Sequence, residues 1–129
     1  MLLVLTGEKG SGKKSICDLL IKTERFKKVT RVTKNPIRTK EIMVINPEDL
    51  EDFLGERTLD TQPLPYVIMC LKRNKETNEK LETLSHIIIN NGDIEMTINS
   101  ILESYEFAIE SYEYWFEGKK KGEISWTKI

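Results

Sequence analysis

Leu2-Leu3-Val4-Leu5-Thr6-Gly7-Glu8-Lys9-Gly10-Ser11-Gly12-Lys13-Lys14-Ser15 is the stretch on which the reading of the fold turns. Leu2 to Leu5 is short, continuous and apolar, the pattern of a strand buried on both faces. Gly7, Gly10 and Gly12 then interrupt regular structure. From Lys13 the spacing of Ile16, Cys17, Leu19 and Leu20 predicts a helix to about Thr23. A strand, a glycine turn and a helix in that order bring backbone N–H groups and the positive end of a helix to one point, an arrangement that suits phosphate. A flexible glycine turn with its lysines in solvent is the other reading of the same residues.

Working outward, Lys28 to Val32 is a candidate second strand, and Thr33 to Thr39 a loop broken by Asn35-Pro36. Glu41 to Ile45 is strand-like. Asn46-Pro47-Glu48-Asp49 then opens a short helix, with a capping side chain, proline at the first helical position and acids in the first turn. Gly55 is its expected stop. Tyr66 to Leu71 and His86 to Ile89 are two more buried-type strands, separated by a helix-compatible stretch from Asn74 to Leu84. Asp93 caps a long helix whose face is marked by Ile94, Ile98, Ile101, Leu102, Tyr105, Ile109 and Tyr112. Strands alternating with helices, and apolar on both faces, predict an α/β fold, a three-layer parallel sheet. The expected organisation is a single domain over residues 1–117 and a tail over 118–129, with no strand order predicted.

Composition bounds the function. The chain has 129 residues, 20 Lys+Arg against 21 Asp+Glu, and is 39% hydrophobic. That is one domain's length with enough apolar residue for a core. The near-neutral balance argues against nucleic acid or an anionic membrane as partner. The apolar opening is too short for a signal peptide or a membrane span, and Cys17 and Cys70 form no disulfide or zinc pattern, so the expected compartment is cytoplasmic. Ala108 is the only alanine while lysine and isoleucine abound, a bias of AT-rich genomes, such as those of phages or low-GC bacteria; for a phage protein the compartment is the host cytoplasm.

Gly7 to Lys13 fits G-x-x-x-x-G-K, the phosphate-binding loop (P-loop), in which Lys13 reaches the outer phosphates. The next position, ordinarily a Ser or Thr that holds Mg2+, is Lys14, and the hydroxyl follows at Ser15. Gly7-Glu8-Lys9-Gly10-Ser11-Gly12-Lys13-Lys14-Ser15 resembles the G-x-K-x-S-G-K-D-T loop of phage deoxynucleoside monophosphate kinases. The resemblance implies a P-loop nucleoside monophosphate kinase fold, ATP and Mg2+ as cofactors, Gly7 through Ser15 around the phosphates, and Ser15 serving the phosphates or the metal. Val32-Thr33-Lys34-Asn35-Pro36-Ile37-Arg38-Thr39-Lys40-Glu41 is similar to the guanylate kinase segment T-T-R-P-P-R-x-G-E. It implies that Arg38 holds the acceptor phosphate and Glu41 faces the base, with Asn35 where the family has another arginine. GMP or dGMP is therefore the first expected acceptor. His86-Ile-Ile-Ile-Asn90-Asn91-Gly92-Asp93 resembles the strand and turn that lie beside the adenine of ATP in several of these kinases, which would place Asn91 at the nucleotide. A tight turn before a capped helix accounts for the same residues without a nucleotide.

These families carry a lid between their last two strands, whose arginines meet the transferring phosphoryl group. Here only Lys72 and Arg73 stand near that place, so Lys13, Arg38 and Arg73 are the expected catalytic residues. Asp60 is the first guess for a metal-facing acid, although no apolar strand leads into it. The cluster Tyr105, Phe107, Tyr112, Tyr114, Trp115 and Phe116 exceeds what one helical face buries, leaving part for a homodimer or a protein partner. The expected activity is transfer of a phosphoryl group from ATP to a nucleoside monophosphate. The alternative is a kinase-fold protein that has lost transfer and acts as a regulatory or interaction module.

Overall fold

β1 (Leu2–Gly7) is the central strand of a five-stranded, wholly parallel sheet in the order β2-β3-β1-β4-β5, seen in a computed structural model that describes residues 1–33, 35–55, 64–73 and 78–121. The remaining elements follow as α1 (Lys13–Lys22), β2 (Lys27–Lys28), β3 (Glu41–Val44), α2 (Pro47–Gly55), β4 (Tyr66–Lys72), α3 (Glu79–Leu84), β5 (Ile87–Asn90) and α4 (Ile94–Lys121). β1 pairs with β3 on one side, Leu2 opposite Glu41, and with β4 on the other, Leu2 opposite Tyr66.

The side chains of β1 divide by the period of two that a pleated strand imposes. Leu3 and Leu5 pack with Ile16, Cys17 and Leu20 of α1 and with Ile101, Tyr105 and Ile109 of α4. Leu2 and Val4 pack on the opposite face with Leu50 of α2 and Leu81 of α3. In β4, Val67, Met69 and Leu71 join the first cluster, and Tyr66, Ile68 and Cys70 the second. Two helices on each face of a parallel sheet make the three-layer α/β architecture of the P-loop kinase type, and they explain why these strands read as unbroken apolar runs.

Capping follows the sequence. The Asp93 carboxylate accepts from the Glu95 N–H at 2.9 Å and opens α4, and Asn78 accepts from Leu81 N–H at 3.0 Å to open α3. α3 begins at Glu79, and residues 74–77 of the helix-compatible stretch lie outside the described residues. β2 is also shorter than expected and earlier, Lys27–Lys28 against Lys28 to Val32. It is an edge strand whose only partner is β3, and after Val29 N–H bonds Ile42 O the chain turns away. Only residues 73–86 join β4 to β5, α3 included, so the lid region is short. Asp60 and the tail beyond α4 lie outside the described residues. Among those described, no helix is long and apolar enough to cross a membrane.

His86 stitches β5 to β4 through its side chain. Its Nδ1 accepts the Ile68 N–H at 2.9 Å, and its own N–H donates to Ile68 O at 2.9 Å. The residue as a whole is exposed, but burial of this inner edge lowers the imidazole below its ordinary 6.5. Protonating Nδ1 would turn an acceptor into a donor facing a donor. Stability is therefore full above the unfolded-state value and falls as pH drops below about 6.5 toward the lower folded value. Thermal melts across that interval should show this loss in the wild type and not in His86→Asn, whose amide oxygen replaces the acceptor. Parallel pH profiles for the two proteins would remove the role.

Candidate functional site

The chain leaves β1 toward one edge of the sheet and β4 toward the other, with α1 and α3 on opposite faces. Their carboxyl ends therefore open a crevice, the place where parallel α/β sheets bind ligands. The glycine loop fills it. Gly10 and Gly12 take φ of 87° and 86°, the left-handed region that side chains with a Cβ disfavour. Gly12 is doubly constrained, because a Cβ there would stand 2.5 Å from Asn91 Nδ2 and 2.7 Å from the Arg73 guanidinium. At Gly7 a Cβ would meet the Leu71 carbonyl at 2.6 Å. The sheet and the last turn thus pack closely on the back of the loop, and within it the Ser11 N–H donates to Glu8 O at 3.0 Å.

A cleft of about 610 Å³ lies in front of the loop. Lys9, Gly10, Gly12, Lys13, Lys14 and Ser15 line it from one side, Asn46, Pro47 and Glu48 from another, and Arg73 and Glu8 complete it. Lys13 is buried, with its Nζ donating to Gly7 O at 2.8 Å. Lys14 and Ser15 are exposed on the first turn of α1. Ser11 is buried behind the loop, where its hydroxyl has no hydrogen-bond partner. Among the described residues, four cations, Lys9, Lys13, Lys14 and Arg73, and two carboxylates, Glu8 and Glu48, line the cleft, and Glu8 accepts from the Asn78 amide.

Asn91 is buried, and both ends of its amide are engaged. Nδ2 donates to Ser11 O at 2.7 Å, Oδ1 accepts from the Thr97 hydroxyl at 3.1 Å, and the backbone N–H bonds Lys72 O at 2.7 Å. The Asn91 side chain thus bonds the back of the loop and, with its backbone N–H, ties it to β4 and α4. Lys72 is also engaged within the protein, pairing with Glu82 at 3.2 Å, which leaves Arg73, among the described residues, as the cation of this turn in the cleft.

The guanylate-kinase-like segment is not at this site. Glu41 pairs with Leu2, at the amino end of β1, and five residues of strand separate that level from Gly7. At about 3.3 Å per residue the separation is about 16 Å. Glu41 is buried and accepts from the Thr33 hydroxyl at 2.5 Å and the Asn35 amide at 3.0 Å. Arg38 donates through Nε to Glu113 at 2.9 Å and pairs with Glu106 at 3.2 Å, contacts that hold its guanidinium in the charged form. Asn35 and Glu41 thus bond each other and Arg38 bonds α4, at the end of β1 opposite the glycine loop. β2 ends too early to carry the segment up to the crevice, and its polar groups close on one another and on α4.

A second groove, of about 500 Å³, lies between α1 and the β2–β3 edge. Lys28, Thr30 and Asp18 line it, and it shares Lys14 and Asn46 with the first. Asn46 and Glu48 are the site residues that the sequence reading passed over. A signal for them was present: Glu41 to Ile45 is a mostly apolar strand-like run ending at Asn46, whereas none leads to Asp60.

The donor set suits phosphate better than a divalent cation. Magnesium is held by oxygen ligands, carboxylates foremost. Here Lys14 stands where the loop ordinarily supplies a hydroxyl, and β3 delivers the neutral Asn46. Ser15 and Glu48 are the remaining oxygen donors on that side. Among the described residues no group of three or more His, Cys, Asp or Glu side chains could hold a metal. Among the described residues the cleft offers a divalent cation Ser15, Glu8 and Glu48 as oxygen donors, against four cations that suit a phosphate chain.

Away from the cleft, α4 carries six glutamates and no lysine or arginine between Ile94 and Glu117. Phe107 and Tyr114, two turns apart on this helix, are 70% and 74% exposed. Compared with known proteins, the chain matches no family model, and no curated protein matches it.

Proposed function

We propose that the chain binds a nucleoside triphosphate, ATP in the first instance, by its phosphate chain at the Gly7–Ser15 loop. It then transfers the terminal phosphoryl group to a nucleoside monophosphate in the adjoining groove. The observation that carries this reading is the adjacency of the two cavities, which share Lys14 and Asn46 in their walls. Lys13 and the loop N–H groups would hold the donor. Arg73 would face the charge that develops on the moving phosphoryl, and Lys28 with Lys14 the acceptor phosphate. The acceptor's own phosphate oxygen is the nucleophile, so the protein contributes position and charge. With Arg38 and Glu41 at the far end of β1, nothing at the site singles out guanine. The test is a coupled assay of ATP against ribo- and deoxynucleoside monophosphates of every base, with Lys13→Ala as control. Acceptor-dependent ADP release absent from the variant supports transfer, and silence across the panel from folded protein removes it.

A second reading, nucleotide binding without transfer, is favoured by the short lid and by the engagement of Arg38 with α4. In that reading the acidic α4 face, with Phe107 and Tyr114 standing out from it, docks a basic segment of another protein by charge complementarity and cation–π contact. A labelled amphipathic Lys-Leu helical peptide should bind the wild type, more weakly as salt rises, and about tenfold more weakly to Phe107→Ser/Tyr114→Ser. Equal binding by the double variant would exclude this face.

A further inference from the structure

We infer that Lys14 takes the place of the divalent cation, so that this site binds the phosphate chain without magnesium. The inference rests on the reading of the Gly7–Ser15 loop as a phosphate site.

Lys14 occupies the loop position whose hydroxyl ordinarily supports a metal bridging the outer phosphates. It is exposed on the first turn of α1, where the unpaired N–H groups of the helix already favour an anion. Lys14 lines both the cleft and the second groove, at the seam where two phosphate groups would approach each other. Two residues beyond β3, which ends at Val44, the chain brings to that seam Asn46, a neutral residue that also lines both cavities. Both positions depart from a metal site in the same electrostatic direction, one gaining a positive charge and the other lacking a negative one. A dication entering here would be repelled by Lys9, Lys13, Lys14 and Arg73, with Glu8, Glu48 and Ser15 as its oxygen ligands. A phosphate chain meets those same cations as partners for charge-assisted hydrogen bonds. Lysine suits the seam because its ammonium is a compact charge on a flexible stem, able to follow a phosphoryl group from one cavity toward the other.

The test is calorimetric titration of ATP into wild-type protein, Lys14→Thr and Lys14→Arg, each in excess EDTA and in excess magnesium chloride. The wild type and Lys14→Arg are expected to bind at least as tightly in EDTA as in magnesium. Lys14→Thr, which restores the hydroxyl, is expected to bind about tenfold more weakly in EDTA and to recover affinity when magnesium is added. Because Lys14 is exposed, its variants should melt with the wild type, which separates lost binding from lost folding. Wild-type binding that appears only with magnesium overturns this inference and leaves the phosphate-site reading intact. Metal-free binding by Lys14→Thr equal to wild type overturns it as well. Absence of ATP binding by the wild type in both buffers overturns the phosphate-site reading itself, and this inference with it.

Discussion

Lys13→Ala is expected to lower ATP affinity by about one to two orders of magnitude while leaving the melting temperature nearly unchanged. The Lys13 ammonium is buried at the base of the cleft and held against Gly7 O at 2.8 Å, so its position is set before any ligand arrives. A hydrogen bond to a charged partner in such a place contributes about 1.5–3 kcal/mol, and on the affinity scale about 1.4 kcal/mol is tenfold. The opposing effects on folding are small. The variant loses one bond to Gly7 O, but it also no longer holds an ammonium away from water. Titration calorimetry with ATP and a thermal melt of the same samples would check both halves. Affinity equal to wild type would mean that the loop does not receive phosphate. A large fall in melting temperature would mean that Lys13 serves the fold.

Asn91→Leu is the second large effect, and it acts through folding first. The leucine side chain is near the same size but leaves Ser11 O without its partner, while the Thr97 hydroxyl keeps its bond to Asp93 O at 2.8 Å. One buried carbonyl left unpaired costs about 1–3 kcal/mol, and the apolar branch would also press on Gly12, against which the amide now packs closely. The expected loss is about 2–3 kcal/mol, a fall in melting temperature of roughly 5–12 °C, accompanied by weaker ATP binding as the loop loses its backing. Asn91→Asp distinguishes hydrogen bonding from shape. An ionised carboxylate would face Ser11 O with no proton to give, whereas a protonated one would restore the donor. That variant should therefore gain stability relative to wild type as pH falls from about 7 toward about 5. Wild-type stability and affinity in Asn91→Leu would show that the loop stands without this support.

Much of this architecture was legible because its signals are local. Leu2 to Leu5 and Tyr66 to Leu71 are apolar on alternate as well as successive positions, and such runs fit only a sheet covered on both faces. Asp93 could be read as a cap because a carboxylate two residues ahead of free N–H groups is a local arrangement. Extended chain after Lys28 could not be judged that way. Whether Val29 to Val32 continue a strand depends on the partner available, and β3 is the only neighbour of that edge.

The site divides in the same manner. Gly7 to Ser15 is one continuous stretch, so its residues were bound to lie together. The segment from Asn35 to Glu41 has a motif's spacing, but spacing along the chain says nothing about which end of a strand receives it. The register of β3 on β1 sets Glu41 beside Leu2, and with that Arg38 faces Glu106 and Glu113 instead of a ligand. Asn46 and Glu48 entered the site by the opposite route, carried there by a strand that happens to end beside the loop.

By itself, the sequence determined the class of the fold, the glycine loop with its excess of lysine, and the long acidic helix, since each is a pattern of neighbours within a few turns or a single strand. Tertiary structure alone decided the strand order, the pairing of two cavities at Lys14 and Asn46, the role of Asn91 behind the loop, and the removal of Arg38 to the far end of the sheet. Those properties depend on which strand lies next to which and in what register. That choice is made by burying apolar faces across long stretches of chain, where no local spacing records it.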